Sequence, residues 1–143
     1  MKKTLCIAAL LLSQLAFAEV AVIVHPSNNN ALDEATVAKI FLGREKSFAD
    51  GKSVVPVSLS ETAAASTAFN DTVLKKSSSQ LKAYWSKLVF TGKGTPPKEI
   101  STDAEMLELV SQNPSVIGYV DKASVTDKVK VLATLHLIII FDP

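Results

Sequence analysis

Val54-Val55-Pro56-Val57-Ser58-Leu59-Ser60-Glu61-Thr62-Ala63-Ala64-Ala65-Ser66-Thr67-Ala68-Phe69 is an apolar strand running straight into a helix. Val54 to Val57 reads as the strand, with Pro56 marking an edge or a strand end. Ser58-Leu59-Ser60-Glu61 has the capping-box pattern, in which Ser58 accepts a backbone N–H and Glu61 reaches back. The helix then runs to about Leu74 and buries Phe69, Val73 and the alanines. Free N–H groups at such a helix start are a natural place for an anion. Ser58, Ser60 and Thr62 are therefore candidate ligand-binding residues, with Ser66 and Thr67 one turn further in. Against that reading, Ser58 serves equally well as a plain cap. Glu61 already answers the helix dipole and repels an incoming anion.

Similar units flank this one. Val20 to Val24 reads as a buried strand. His25 to Asn30 reads as a polar turn, and Asp33 caps a helix carrying Val37, Ile40 and Phe41, with Gly43 as its stop. Phe48-Ala49-Asp50-Gly51 is a turn. Ser77 to Gln80 is a second capping box. It opens the clearest amphipathic helix, with Leu81, Tyr84, Trp85, Leu88 and Val89 on one face. Tyr84, Trp85 and Phe90 read as core, and Phe90 to Pro97 as a loop. Thr102 to Glu105 caps a helix that places Met106, Leu109 and Val110 inward and ends at Asn113-Pro114. Val116 to Val120 and Val129 to Phe141 read as the last strands. Strands alternating with helices imply an α/β domain with a largely parallel sheet flanked by helices.

The 143 residues suffice for one domain with its own core. Met1-Lys2-Lys3, the apolar run Leu5 to Leu12 and Ala16-Phe17-Ala18 together read as a secretory signal peptide over residues 1–18, cleaved after Ala18. The domain is then 19–143, exported and periplasmic. The one cysteine, Cys6, falls in the leader, so the mature chain has no disulfide, thiol nucleophile or thiolate metal site. Without Lys2 and Lys3, the fifteen basic residues become thirteen against fourteen acids, a formal charge of −1. That balance gives no support for nucleic-acid binding.

Several phrases together resemble one family. Val37 to Gly43 is similar to its "IF.G" helix end. Phe48 to Gly51 with Val54 to Val57 is similar to "W.dG..v.pv". Tyr84 to Gly94 is similar to "W....F.G.G", and Asn113 to Val120 to "..PGAIGYV". On these phrases the chain resembles a short, single-domain member of the phosphate ABC transporter substrate-binding (PstS-like) family, in the type II periplasmic-binding-protein-like superfamily. The resemblance implies a single lobe of that fold, without enzyme activity or cofactor. It implies phosphate or another small oxyanion as ligand, and a membrane transporter as partner. The longer members close two lobes over the anion. Their "R.dgSGT...F" segment supplies an Arg and hydroxyls. Here Ala63, Ala64 and Ala65 fall on Ser-Gly-Thr, and the Arg position falls near Ser58, so those ligand roles do not carry over.

The alternative is an interaction module that docks on an envelope sensor, transporter or other protein without binding a solute. A homodimer, in which two lobes rebuild a two-walled cleft, is a third reading. Ser27 and Asn28 form a second candidate site because ligands gather beyond the carboxyl ends of strands; a solvated turn is the plainer reading. His25 and His136 are isolated, without metal-ligand spacing. Gly92-Lys93-Gly94-Thr95 precedes Pro96-Pro97 rather than a helix, so no dipole backs it as a phosphate loop. The apolar tail Leu135 to Phe141 is too short to span a bilayer and reads as a buried final strand.

Overall fold

The computed structural model describes residues 19–135. Residues 1–18, where a signal peptide is expected, and the apolar tail beyond Leu135, expected as the end of the final strand, lie outside the described residues. Five strands form one sheet: β1 (Val20–Val24), β2 (Val55–Leu59), β3 (Lys98–Ile100), β4 (Val116–Asp121) and β5 (Lys130–Leu135), in the order β3-β2-β4-β1-β5. β2 pairs in parallel with β3 and β4, and β1 pairs antiparallel with β4 and β5. Four strands therefore point one way and β1 points the other, which makes an α/β lobe with a largely parallel sheet.

All five residues of β1 are buried. A continuous apolar run of this kind is what a strand covered on both faces needs. The covers are α1 (Glu34–Phe41) and α2 (Ala64–Phe69) on one face and α4 (Asp103–Gln112) on the other, while α3 (Ser78–Phe90) buries no residue. Gly118 and Tyr119 point to opposite faces because side chains alternate along a strand. Gly118 lies under Met106 of α4, where a Cβ would stand 2.4 Å from the Met106 sulfur. Tyr119 meets Phe41 of α1 and Phe69 of α2 on the other face. The two helical layers are thus set by adjacent residues of β4.

The caps follow the sequence at three helices. Asp33 accepts from the Thr36 N–H at 2.8 Å, and Gly43 takes the left-handed backbone, φ 73°, that ends α1. Ser77 and Gln80 complete a capping box, and Thr102 accepts from the Glu105 N–H. The opening stretch departs from expectation. Ser58 belongs to β2, and α2 begins only at Ala64, with Ala63 as a cap that has no side-chain bond. Ser60 and Thr62 make a short turn instead, with the Ala63 N–H on the Ser60 carbonyl at 2.9 Å. β2 runs two residues longer because β3 pairs with Val57, Ser58 and Leu59. β3 itself is charged and three residues long, too short to show a strand pattern in sequence. Pro56 sits where its missing N–H points away from β4, before the β3 pairing starts. The helix reaches Leu74 as expected, but Asn70–Leu74 widens to a π-turn and stops at Lys75, φ 54°.

α3 corrects a second expectation. Its apolar stripe is core only in part: Leu81 and Tyr84 pack half-buried against the core, but none of its thirteen residues is fully buried and Phe90 is 92% exposed. Tyr84 is tied by its hydroxyl to the Leu42 carbonyl at 2.7 Å, and Trp85 lies against Gly43.

Phe69 is fully buried and packs edge-on against Phe41 at 4.8 Å. Phe69→Ala is expected to cost about 3–5 kcal/mol, a large part of a small domain's stability. Urea unfolding should show a lower midpoint with an unchanged slope.

Candidate functional site

Parallel pairing of β2 with β4 covers only Val55↔Val116 and Pro56↔Ile117. Beyond it the strands part, and the Leu59 N–H on that side has no strand partner. Tyr119 fills the gap. Its hydroxyl oxygen accepts from the Leu59 N–H at 3.2 Å. Ser66 Oγ donates to the Leu59 carbonyl at 2.8 Å and lies 2.8 Å from Tyr119 Oη. Since the one Ser66 proton goes to the carbonyl, the Tyr119 proton goes to Ser66. The three groups close a ring in which each donor has an acceptor. Ser66 is 1% exposed, and the Tyr119 ring stacks on Phe69 at 4.0 Å with 9° between planes. Burial pushes the Tyr119 phenol above its ordinary 10.0, and hydrogen bonding with Ser66, Leu59 and Ser58 offsets only part of that rise.

The strand-to-helix turn is therefore closed from inside by a phenol. Ser60 Oγ and Thr62 Oγ1 remain at the surface, 3.1 Å apart. The nearby charges are Glu61, Lys82 and Glu99. Glu61 meets Lys82 at 3.5 Å in an exposed pair of little energetic weight. α2 is only six residues long before the π-turn, so the dipole at its start is weak.

The structure brings Ser58, Ser60 and Thr62 together and keeps Ser27 and Asn28 away from them. Because β1 runs against β2 and β4, its carboxyl end lies at the opposite edge, with Val24 beside Ile117 and Lys130. Asn28 is 7% exposed and its Oδ1 accepts from both nitrogens of Asn30. Asn30 in turn binds Asp50, while the Lys130 amine donates to the Asn28 carbonyl at 3.1 Å. Ser27 Oγ lies 2.7 Å from His25 Nδ1. These groups tie a loop to its neighbours and to β5.

Next to the phenol ring is a groove of about 640 Å³. Its floor is Ser58, Leu59 and Tyr119, and its walls are Leu74, Leu81, Trp85, Val89, Phe90 and Pro96. The volume suits a small ligand or a few side chains of a peptide, and the lining is mostly apolar. A second hollow of about 420 Å³ on the other flank of α3 includes Arg44, Lys46 and Lys93. Arg44 and Lys93 follow the carboxyl ends of α1 and α3, where cations answer the helix dipoles. Ser66 is among the hydroxyls read one turn into the helix, but its partner Tyr119 belongs to no ligand pattern. The available signal was a tyrosine in an otherwise apolar strand, which needs a partner for its hydroxyl.

The geometry has clear relatives among solved structures. An ABC-type phosphate transport receptor from Vibrio cholerae superimposes with a TM-score of 0.66 at 16% identity, over 81% of this chain and 46% of that one. A putative phosphate ABC transporter substrate-binding protein from Clostridium perfringens, with bound phosphate, gives 0.64 at 20%, over 80% and 45%. PstS from Borrelia burgdorferi gives 0.58 at 16%, over 82% and 48%. The fold is that of a periplasmic-binding-protein-like lobe. The chain spans about half the length of these PstS-like receptors. No protein-family model matches it, and no curated protein matches it by sequence.

Tyr119→Phe keeps the stack and removes the oxygen, leaving the Leu59 N–H without its acceptor. The expected loss is about 1–3 kcal/mol. Because the folded phenol titrates above the unfolded one, its contribution is intact below pH 10.0 and fades as pH rises through the folded value. Thermal unfolding from pH 8 upward should therefore fall less steeply for Tyr119→Phe than for the parent.

Proposed function

We propose that this chain is an exported, non-enzymatic binding module with a periplasmic-binding-protein-like fold. It engages an apolar segment of another envelope protein through the groove beside α3, in place of the free phosphate its structural relatives carry. The observation that carries this reading is the closed ring of Leu59, Ser66 and Tyr119. It occupies the Leu59 N–H and the buried hydroxyls of Ser66 and Tyr119, so none of these three donors is turned toward an anion. The groove is consistent with the same reading. Its lining is mostly apolar, and its charged groups, Glu61 paired with Lys82 together with Glu99, are net negative, which disfavours an oxyanion and accommodates a basic residue. Export rests on the basic head, apolar run and Ala16-Phe17-Ala18 of residues 1–18. Among the described residues no helix is long and apolar enough to cross a membrane.

One observation favours weak oxyanion binding as a second reading. Ser60 and Thr62 present exposed hydroxyls beside Ser58, and a neighbour of the same fold has phosphate bound.

Thermal unfolding of residues 19–143 in phosphate, sulfate and molybdate separates the two. A ligand at a hundred times its dissociation constant adds about 2.7 kcal/mol, a shift of several degrees for a domain this size. The expected result is no shift with any anion. A shift specific to one oxyanion would overturn the interaction reading and make Ser58, Ser60 and Thr62 the first residues to substitute.

A further inference from the structure

The two hollows that flank α3 carry opposite charge. The larger groove has one cation, Lys82, against two carboxylates, Glu61 and Glu99. The smaller hollow has Arg44, Lys46 and Lys93 against the single carboxylate of Glu45. A charged group that approaches this side of the lobe is therefore sorted by sign. Within the groove the two carboxylates differ. Glu61 already meets Lys82, whereas Glu99 has no ion pair among the described residues.

The pairing of β3 aims Glu99 at the groove. Its register on β2 is Val57↔Lys98, Ser58↔Glu99 and Leu59↔Ile100. Paired residues share a face of a sheet, and neighbours along a strand alternate. Glu99 therefore stands beside Ser58 on the groove floor, while Ile100 packs against the core. The Glu99 charge reaches the Tyr119 phenol and adds to the upward push on that group. The wall supplied by α3 ends in Val89 and Phe90, which are 52% and 92% exposed. An occupant that satisfies both parts needs apolar surface for Val89 and Phe90 and a cation for Glu99. A lysine or arginine brings a charged head on an apolar stem, and its neighbours can bring the rest.

We propose that the partner segment carries a lysine or arginine flanked by apolar residues, with the cation on Glu99 beside Ser58 and the flanking side chains on Val89 and Phe90. The proposal rests on reading the groove as a site for an apolar segment, and it makes Glu99 the residue that selects among such segments. An acidic residue at the same place in the segment meets Glu61 and Glu99 and is rejected.

Trp85 lines the groove and is the one tryptophan of the chain, so its emission reports occupancy. The probes are pools of acetylated, amidated hexapeptides. In each pool the third position is fixed as Lys, Arg, Gln or Glu, and the other positions are drawn from Leu, Val, Phe and Ser. The Lys and Arg pools are expected to bind residues 19–143 about tenfold more tightly than the Gln pool, the scale of one charge-assisted hydrogen bond. The Glu pool should bind more weakly still, and high salt should narrow the gap. Glu99 is exposed on a three-residue strand, so its substitution leaves the core intact. Glu99→Gln should bring the Lys pool to the level of the Gln pool, and Glu99→Lys should favour the Glu pool. Lys93→Gln, in the other hollow, should leave the order of the pools unchanged. Equal binding of the Lys and Gln pools, or a Lys preference that survives Glu99→Gln, would overturn the proposal and leave the groove reading standing. No response of Trp85 to any pool would overturn both. Trp85 emission that changes on dilution without peptide, together with a dimer in light scattering, would overturn the proposal by placing a second copy of the chain in the groove.

Discussion

The hydrogen-bonded ring between Leu59, Ser66 and Tyr119 is the constraint on which the rest of this lobe depends. β2 and β4 pair over two residues and then separate. A parted pair of strands exposes backbone groups that must find partners or lose stability. Tyr119 satisfies the Leu59 N–H from one strand, and Ser66 satisfies the Leu59 carbonyl from the helix. This pins the first turn of α2 to the end of β2. It also fixes the Tyr119 ring flat on Phe69, and Phe69 holds α1 through Phe41. One polar cluster thus sets the spacing of two strands and two helices.

The same cluster bears on function. In an α/β fold the carboxyl ends of parallel strands are where ligands gather. Here that position is taken by a phenol, and the adjoining helix is short and starts on an alanine. Arg44 and Lys93, in the hollow on the other flank of α3, follow helix carboxyl ends and answer the helix dipoles. The surviving opening is apolar. Likeness to phosphate receptors is a likeness of fold, over about half their length.

The sequence showed the fold more clearly than the site. β1 and β4 were legible because short apolar runs rich in β-branched residues fit buried strands, and α1, α3 and α4 because Asp33, Ser77 and Thr102 cap them as their spacing implies. β3 was not legible, since Lys98-Glu99-Ile100 owes its strand form to the free edge of β2. The Ser58 capping box failed because strand pairing competed for the same residues and won. The stripe of α3 implied burial but could not say what would cover it. The edge on which Ser27 and Asn28 lie depended on the reversed direction of β1, which no local pattern encodes. The Tyr119 and Ser66 contact joins residues 53 apart in sequence, and only the folded chain brings them together.

The most direct test of the closed turn is amide hydrogen exchange at Leu59 in residues 19–143, with and without Tyr119→Phe. The expected result is exchange of Leu59 in the parent only through global unfolding, unchanged by millimolar phosphate, with selective loss of that protection in the variant. Rapid exchange in the parent, or protection that appears only when phosphate is added, would mean the turn is open and built for an anion, contradicting the account.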